Sequence, residues 1–138
     1  MDKMYPGKKE VDGKDFDVAV EANAERKPFT VILDIGIRQP TVGNRVFGVM
    51  KGACDGGLNV PHSVRKFPGF SKGASKKKSK YNAAAHRDRI FGVHIDNYMT
   101  TLKEKSEDDF NRQFSRWGKC LSDNGVDSVE GLMTKVFE

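Results

Sequence analysis

The feature that most constrains this chain is the segment PFTVILDIGI, residues 28–37, in which 29–35 is nearly continuous β-branched and apolar. An unbroken run of this kind suits a strand covered on both faces. Such a strand needs neighbours, and the rest of the sequence offers few. Residues 58–61 (LNVP) read as a short second strand, and Phe16, Val18 and Val20 alternate weakly in a peripheral segment. Between the two strands, GIRQPTVGN with Pro40 and Gly43 reads as a turn, and a helix follows over about 44–56, ended by Gly57. The expected fold class is therefore α/β: a strand-helix-strand unit followed by a C-terminal helical region.

Helical projection of 44–56 places Val46, Phe47, Val49, Met50, Ala53 and Cys54 on the core side. Arg45, Gly48, Lys51, Gly52, Asp55 and Gly56 fall opposite. Each glycine costs a helix about 1 kcal/mol relative to alanine, so an outward glycine face implies close approach by something else. Farther on, Ile90, Phe91, Ile95, Tyr98, Met99 and Leu102 recur at helical spacing over about 82–105. A second helix starts at Ser106, a good cap with Asp108 and Asp109 behind it, and carries Phe110, Phe114, Trp117 and Leu121. Asp127 or Ser128 caps a third, with Val129, Leu132, Met133 and Val136.

The 138 residues carry a net charge of +5, which suggests a mild, even excess. Its distribution is not even. Residues 1–62 are neutral overall, residues 63–89 carry +8, and residues 90–138 carry −3. A cationic block between neutral and acidic parts points to a polyanion, most often nucleic acid, because each neutralised phosphate releases counterions. For KGASKKKSK alone, a solvated loop explains the lysines equally well, since Gly, Ser and Lys build no core.

Other chemistries find little support. Cys54 and Cys120 are far apart, with no CxxC and no histidine at zinc spacing, and read as reduced thiols. Gly43 and Gly48 are spaced as in a phosphate-binding loop, but Val49 and Met50 stand where lysine and a magnesium-binding hydroxyl belong. His86 and His94 are too widely spaced on one helix to share a metal. His62 precedes Ser63, but activating that hydroxyl needs an orienting group and an oxyanion site that the sequence does not propose. No cofactor is expected, and no enzyme. No stretch approaches the roughly 20 apolar residues that span a bilayer, and MDKMYPGKKEVDGKD lacks the apolar segment of a signal peptide, so a soluble, intracellular protein without membrane contact is expected.

What converges is an arrangement for phosphate. Arg38, Thr41, Gly43, Asn44 and Arg45 surround a helix N-terminus, Lys51 lies on the glycine face, and His62, Ser63, Arg65 and Lys66 sit in PHSVRKFPGF. Lys76, Lys77, Lys78 and Lys80 supply the dense charge. Phe67 and Phe70 can either stack on unpaired bases or anchor their loop to the core.

Residues 32–70, ILDIGIRQPTVGNRVFGVMKGACDGGLNVPHSVRKFPGF, resemble the signature region of the eukaryotic large-subunit ribosomal protein L-five, whose archaeal and bacterial relatives form the universal eighteenth large-subunit family. The resemblance continues through residues 80–117 and includes the opening MDKMYPGKKEVDG, so it covers nearly the whole chain. It implies binding to 5S rRNA and to large-subunit rRNA, assembly with a second 5S rRNA-binding ribosomal protein of the L-eleven type, and a place in the central protuberance. Cytoplasmic ribosomes with nucleolar assembly are the implied location. The family's proteins carry an N-terminal half before this region, so the chain corresponds to the C-terminal half, with Met1 matching an internal methionine. Residues 1–62 are then a partial α/β 5S rRNA-binding domain, 63–80 a basic loop and 81–138 a helical region. Carried over by position, the turn 38–45, the face with Lys51 and residues 62–67 match family segments near RNA. An alternative of another class is a protein-interaction module that docks a partner on the acidic C-terminal helices.

Overall fold

The computed structural model describes residues 5–21, 26, 28–73 and 79–137. Its helices are α1 (Val18–Glu21), α2 (Arg45–Asp55), α3 (Ala83–Phe91), α4 (Val93–Lys105), α5 (Glu107–Asp123) and α6 (Val129–Phe137). A 3-10 turn spans Val64–Lys66, and β1 (Phe70–Ser71) pairs antiparallel with β2 (Lys80–Tyr81). The chain divides into two compact units, Met1–His86 and Arg87–Glu138.

In the first unit, α2 supplies the core stripe. Phe47, Met50 and Cys54, at helical spacing, pack with Val60 and the fully buried Phe67, and Val31, Leu33, Val64 and Tyr81 close around them. Asn44 caps α2, its side-chain oxygen accepting from the Val46 N–H at 3.4 Å. The buried stripe is rotated from the expected one. Lys51 faces inward, only 4% exposed and paired with Asp55, whereas Val49 is 72% exposed. Among the described residues nothing lies within 4 Å of a Cβ built on Gly48 or Gly52. The close backbone approach expected there occurs at the other end of the helix. A Cβ on Gly7 would lie 2.6 Å from the Asp55 carbonyl oxygen, and one on Gly57, at φ 92°, 2.8 Å from that of Tyr5. The segment that crosses there is held by the Lys8 N–H donating to the Asp55 carbonyl at 2.7 Å.

The expected sheet is the main correction. Exposure alternates along residues 30–35, with Val31, Leu33 and Ile35 half-buried and Thr30, Ile32 and Asp34 exposed, but their contact with 58–60 is one parallel bridge, Thr30 to Asn59. The Val31 N–H donates to the Asn59 carbonyl at 2.8 Å, and the Asn59 amide donates to the Thr30 hydroxyl at 3.1 Å. One step on, Pro61 stands opposite Ile32 and has no N–H to continue the ladder. A run suited to burial on both faces is thus covered on one. The fold is mixed α/β but mostly helical, and among the described residues its one two-stranded pair, β1 with β2, falls at the roots of the lysine-rich loop rather than at 29–35 and 58–61.

In the second unit α4 packs on α5 and α6. The helix expected over 82–105 breaks at Gly92, at φ 79°, where a Cβ would come within 2.7 Å of Val129 Cγ1. Ser106 caps α5 as expected, accepting from the Asp109 N–H at 3.3 Å. Ser128 accepts from the Gly131 N–H, and α6 gains a second cap from a distance. Asp96 of α4 takes the Val129 N–H on Oδ1 at 2.8 Å and the Glu130 N–H on Oδ2 at 3.1 Å.

Truncation of a fully enclosed phenyl ring costs about 3–5 kcal/mol, so Phe67→Ala should lower the urea midpoint of the first unit sharply. Asp96→Ala, which strips a bidentate cap, should cost about 1–2 kcal/mol and reduce helical circular dichroism, whereas Asp123→Ala on the exposed end of α5 should change neither.

Candidate nucleic-acid interface

Two of the sequence-predicted segments meet. The Gly43 N–H donates to the Lys66 carbonyl at 2.9 Å, and the Lys66 ammonium donates back to the Pro40 carbonyl at 2.7 Å. Gly43 takes φ 78°, a conformation that side chains disfavour, and this lets the turn close against the loop at Pro68. Asn44, beyond capping α2, donates its amide to the Gln39 carbonyl at 3.2 Å. This double stitch fixes residues 38–45 against 63–66 and leaves Arg38, Thr41, Arg45, Ser63 and Arg65 exposed. Three guanidinium groups and a hydroxyl pair are suited to phosphate oxygens. Lys80, exposed on β2, stands opposite Ser71 at the base of the lysine loop, while Lys76, Lys77 and Lys78 lie outside the described residues.

Lys51 and His62 are placed differently. Lys51 is enclosed and spends its charge on Asp55. His62 Nδ1 lies 2.6 Å from the Val60 carbonyl and Nε2 3.0 Å from Asp15 Oδ1, both of them acceptors. A neutral imidazole can donate to only one of the two at a time. Asp15, 47 positions upstream, carries no local signal linking it to His62. With Cys54 Sγ 3.7 Å from His62 Nδ1, the three residues have the outline of a thiol triad. The chemistry does not follow, because Cys54 is buried, burial pushes its thiol above the ordinary value, and Nδ1 is turned to a backbone carbonyl.

Phe67 resolves the choice between anchoring and stacking. Its ring is enclosed by His62, Tyr81 and His86 at centroid distances of 5.4, 6.3 and 5.1 Å. Beneath it, Tyr81 donates its hydroxyl to the Gly13 carbonyl, and His86 Nδ1 lies 2.7 Å from the same phenol oxygen. Burial, with the nearby Asp15 carboxylate, pushes the Tyr81 phenol up to about 12. Burial, with the Lys51 ammonium, holds the His86 imidazole below its ordinary 6.5. Residues 62–67 are therefore anchored through Phe67 on an aromatic cluster.

Comparison with known proteins shows what the chain is similar to. Residues 1–63 match the Ribosomal_L5e family model, described as "Ribosomal large subunit proteins 60S L5, and 50S L18". The large ribosomal subunit protein uL18 of Tetrahymena thermophila is 52% identical over 137 residues, which is 99% of this chain and 45% of that protein. The chain is homologous to the uL18 proteins. The Theileria annulata uL18 is 46% identical over all of this chain and 44% of its own length, and that of Caenorhabditis elegans 48% identical over 85% of this chain and 38% of its own. The chain thus spans less than half the length of these uL18 relatives. The resemblance read from residues 32–70 is to this same family.

Because the folded state disfavours protonated His86, unfolded chains take up that proton first as pH falls below about 6.5. The contribution of His86 should therefore be flat above that value and turn destabilising through it toward the lowered folded value. The drop in urea midpoint between about pH 8 and about pH 5.5 should be smaller in His86→Asn than in the unsubstituted protein.

Proposed function

We propose that the chain acts as a structural, RNA-binding part of the large ribosomal subunit that binds 5S rRNA and helps carry it into the central protuberance. What supports the reading is similarity along 99% of the chain to a protein named as a uL18 large-subunit component. Beside it stands the surface on which Arg38, Arg45 and Arg65 are exposed together by the stitch between Gly43 and Lys66. On this reading phosphate contacts come from Arg38, Thr41, Arg45, Ser63 and Arg65, held in place by Gly43, Asn44 and Lys66, with Lys76, Lys77, Lys78 and Lys80 adding diffuse attraction. Lys51 and His62 support the surface from inside rather than touching RNA. Large-subunit rRNA and a second 5S rRNA-binding protein of the L-eleven type are the further partners, in cytoplasmic ribosomes after nucleolar assembly. The role is one of assembly and not of catalysis, in keeping with relatives that are large-subunit proteins.

A gel shift of 5S rRNA at two salt concentrations, against an unrelated RNA of equal length, tests this directly. Preference for 5S rRNA is expected, and equal affinity for both would leave only nonspecific attraction. Replacing Arg38, Arg45 and Arg65 by Gln should weaken binding and flatten the dependence of log K on log salt by roughly 0.7–0.9 per lost contact. Lys51→Met should lower stability while leaving the salt slope of the folded protein unchanged. Replacing Lys76, Lys77, Lys78 and Lys80 by Gln should also flatten the slope, and no change would favour a protein-docking role for the acidic C-terminal helices.

A further inference from the structure

Arg38 stands three residues before Thr41 and Val42 one after it, within 36–43, eight consecutive exposed positions outside helix and strand. An arginine at that distance before a hydroxyl, with an apolar side chain just after it, is the charge pattern that arginine-directed protein kinases read, the guanidinium entering an acidic pocket. Arginine three before a Ser or Thr occurs twice in the chain. At Arg112 and Ser115 the pattern lies inside α5, where helical bonds keep the backbone from a cleft that takes an extended peptide. At Thr41 no helix or strand has to open. Ser63, the other exposed hydroxyl of this surface, has Val60 in place of the arginine.

The surroundings of Thr41 are suited to hold the product. Lys66 Nζ donates to the Pro40 carbonyl at 2.7 Å, so the ammonium lies one peptide unit from Thr41 with two N–H donors left to give. The Thr41 backbone is fixed beside it, its N–H on the Gln39 carbonyl at 3.0 Å and its carbonyl accepting from the Asn44 N–H at 3.3 Å. Arg38 and Arg45 flank it in sequence, both exposed.

We propose that Thr41 is phosphorylated by an arginine-directed kinase and that the phosphothreonine, held by Lys66, switches this surface off for RNA, the switch resting on the reading of the surface as RNA-binding. In the transfer Thr41 Oγ1 bonds to the γ-phosphorus of a nucleoside triphosphate as the bond from that phosphorus to the β–γ bridging oxygen breaks. The hydroxyl proton passes to the kinase's base, and nucleoside diphosphate leaves. The group gained carries a charge of about −1.5 to −2 and three acceptor oxygens. It offers within the chain what an RNA backbone offers from outside, so it competes for the same cationic donors and repels the incoming phosphates.

The full chain, incubated with magnesium ATP and an arginine-directed kinase and mapped by peptide mass, should carry phosphate on Thr41. Transfer should vanish in Thr41→Ala and slow roughly tenfold in Arg38→Gln. A phosphorus-31 titration of the product should place the second phosphate ionisation below its ordinary value of about 6, because neighbouring cations favour the dianion. Lys66→Gln, which can still donate to Pro40, should move it back up. The phosphorylated chain should bind 5S rRNA roughly tenfold or more weakly than the unmodified chain at physiological salt, with a flatter salt slope. A chain left unmodified, or modified only at Ser115 or Ser63, overturns the proposal. So does an ordinary ionisation unmoved by Lys66→Gln, or an RNA affinity unchanged by the phosphate. Mapping and titration involve no RNA, so an unmodified chain that fails to prefer 5S rRNA counts against the proposed function alone, while these two readouts still decide the site.

Discussion

Enclosure of the Phe67 ring is the constraint on which the first unit rests. The ring brings together His62, the loop after it, β2 through Tyr81 and the start of α3 through His86. Around this apolar centre the polar atoms are satisfied in sequence. Tyr81 gives its proton to Gly13, His86 is turned to Tyr81, and His62 bridges Val60 and Asp15. Burying these groups costs little only because each has a partner, and no buried side-chain nitrogen or oxygen among the described residues lacks one.

The same arrangement separates structural from available charge. Lys51, His62 and His86 lie inside, while Arg38, Arg45 and Arg65 stand outside, although all belong to one neighbourhood of the sequence. Composition sees cations and counts them alike. Burial sorts them, and it does so through contacts such as Asp15 with His62 that join residues tens of positions apart. A surface made by two backbone-stitched segments can present guanidinium groups in fixed positions, which a tract of lysines alone cannot.

What the sequence made legible was local. The bounds of α2, its Asn44 cap, and the Ser106 and Ser128 caps follow from residue chemistry within a turn or two. Misreadings arose where the outcome depended on a partner. The apolar run 29–35 has strand chemistry, yet a strand exists only with a neighbour, and Pro61 halts the one it has. Val49 looked like core because projection cannot tell which of two adjoining stripes will be covered. The break at Gly92 depends on the bulk of Val129, and the hairpin of β1 and β2 is too short to leave a pattern. Of the candidate site, the residue types of the 38–45 turn and the 63–66 loop were readable as phosphate chemistry, whereas their pairing through Gly43 and Lys66 and the inward turn of Lys51 and His62 required the fold.

Asp96 gives the end of the chain an unusual dependence. α6 has nine residues, below the roughly 12–15 at which a helix in water sustains itself. Its first turn is ordered by a carboxylate borrowed from α4, 33 and 34 positions upstream. The costly step of helix nucleation is therefore delegated to tertiary contact. The final helix has no independent existence to lose: its order reports whether α4 is in place, and the two must form and melt as one cooperative event.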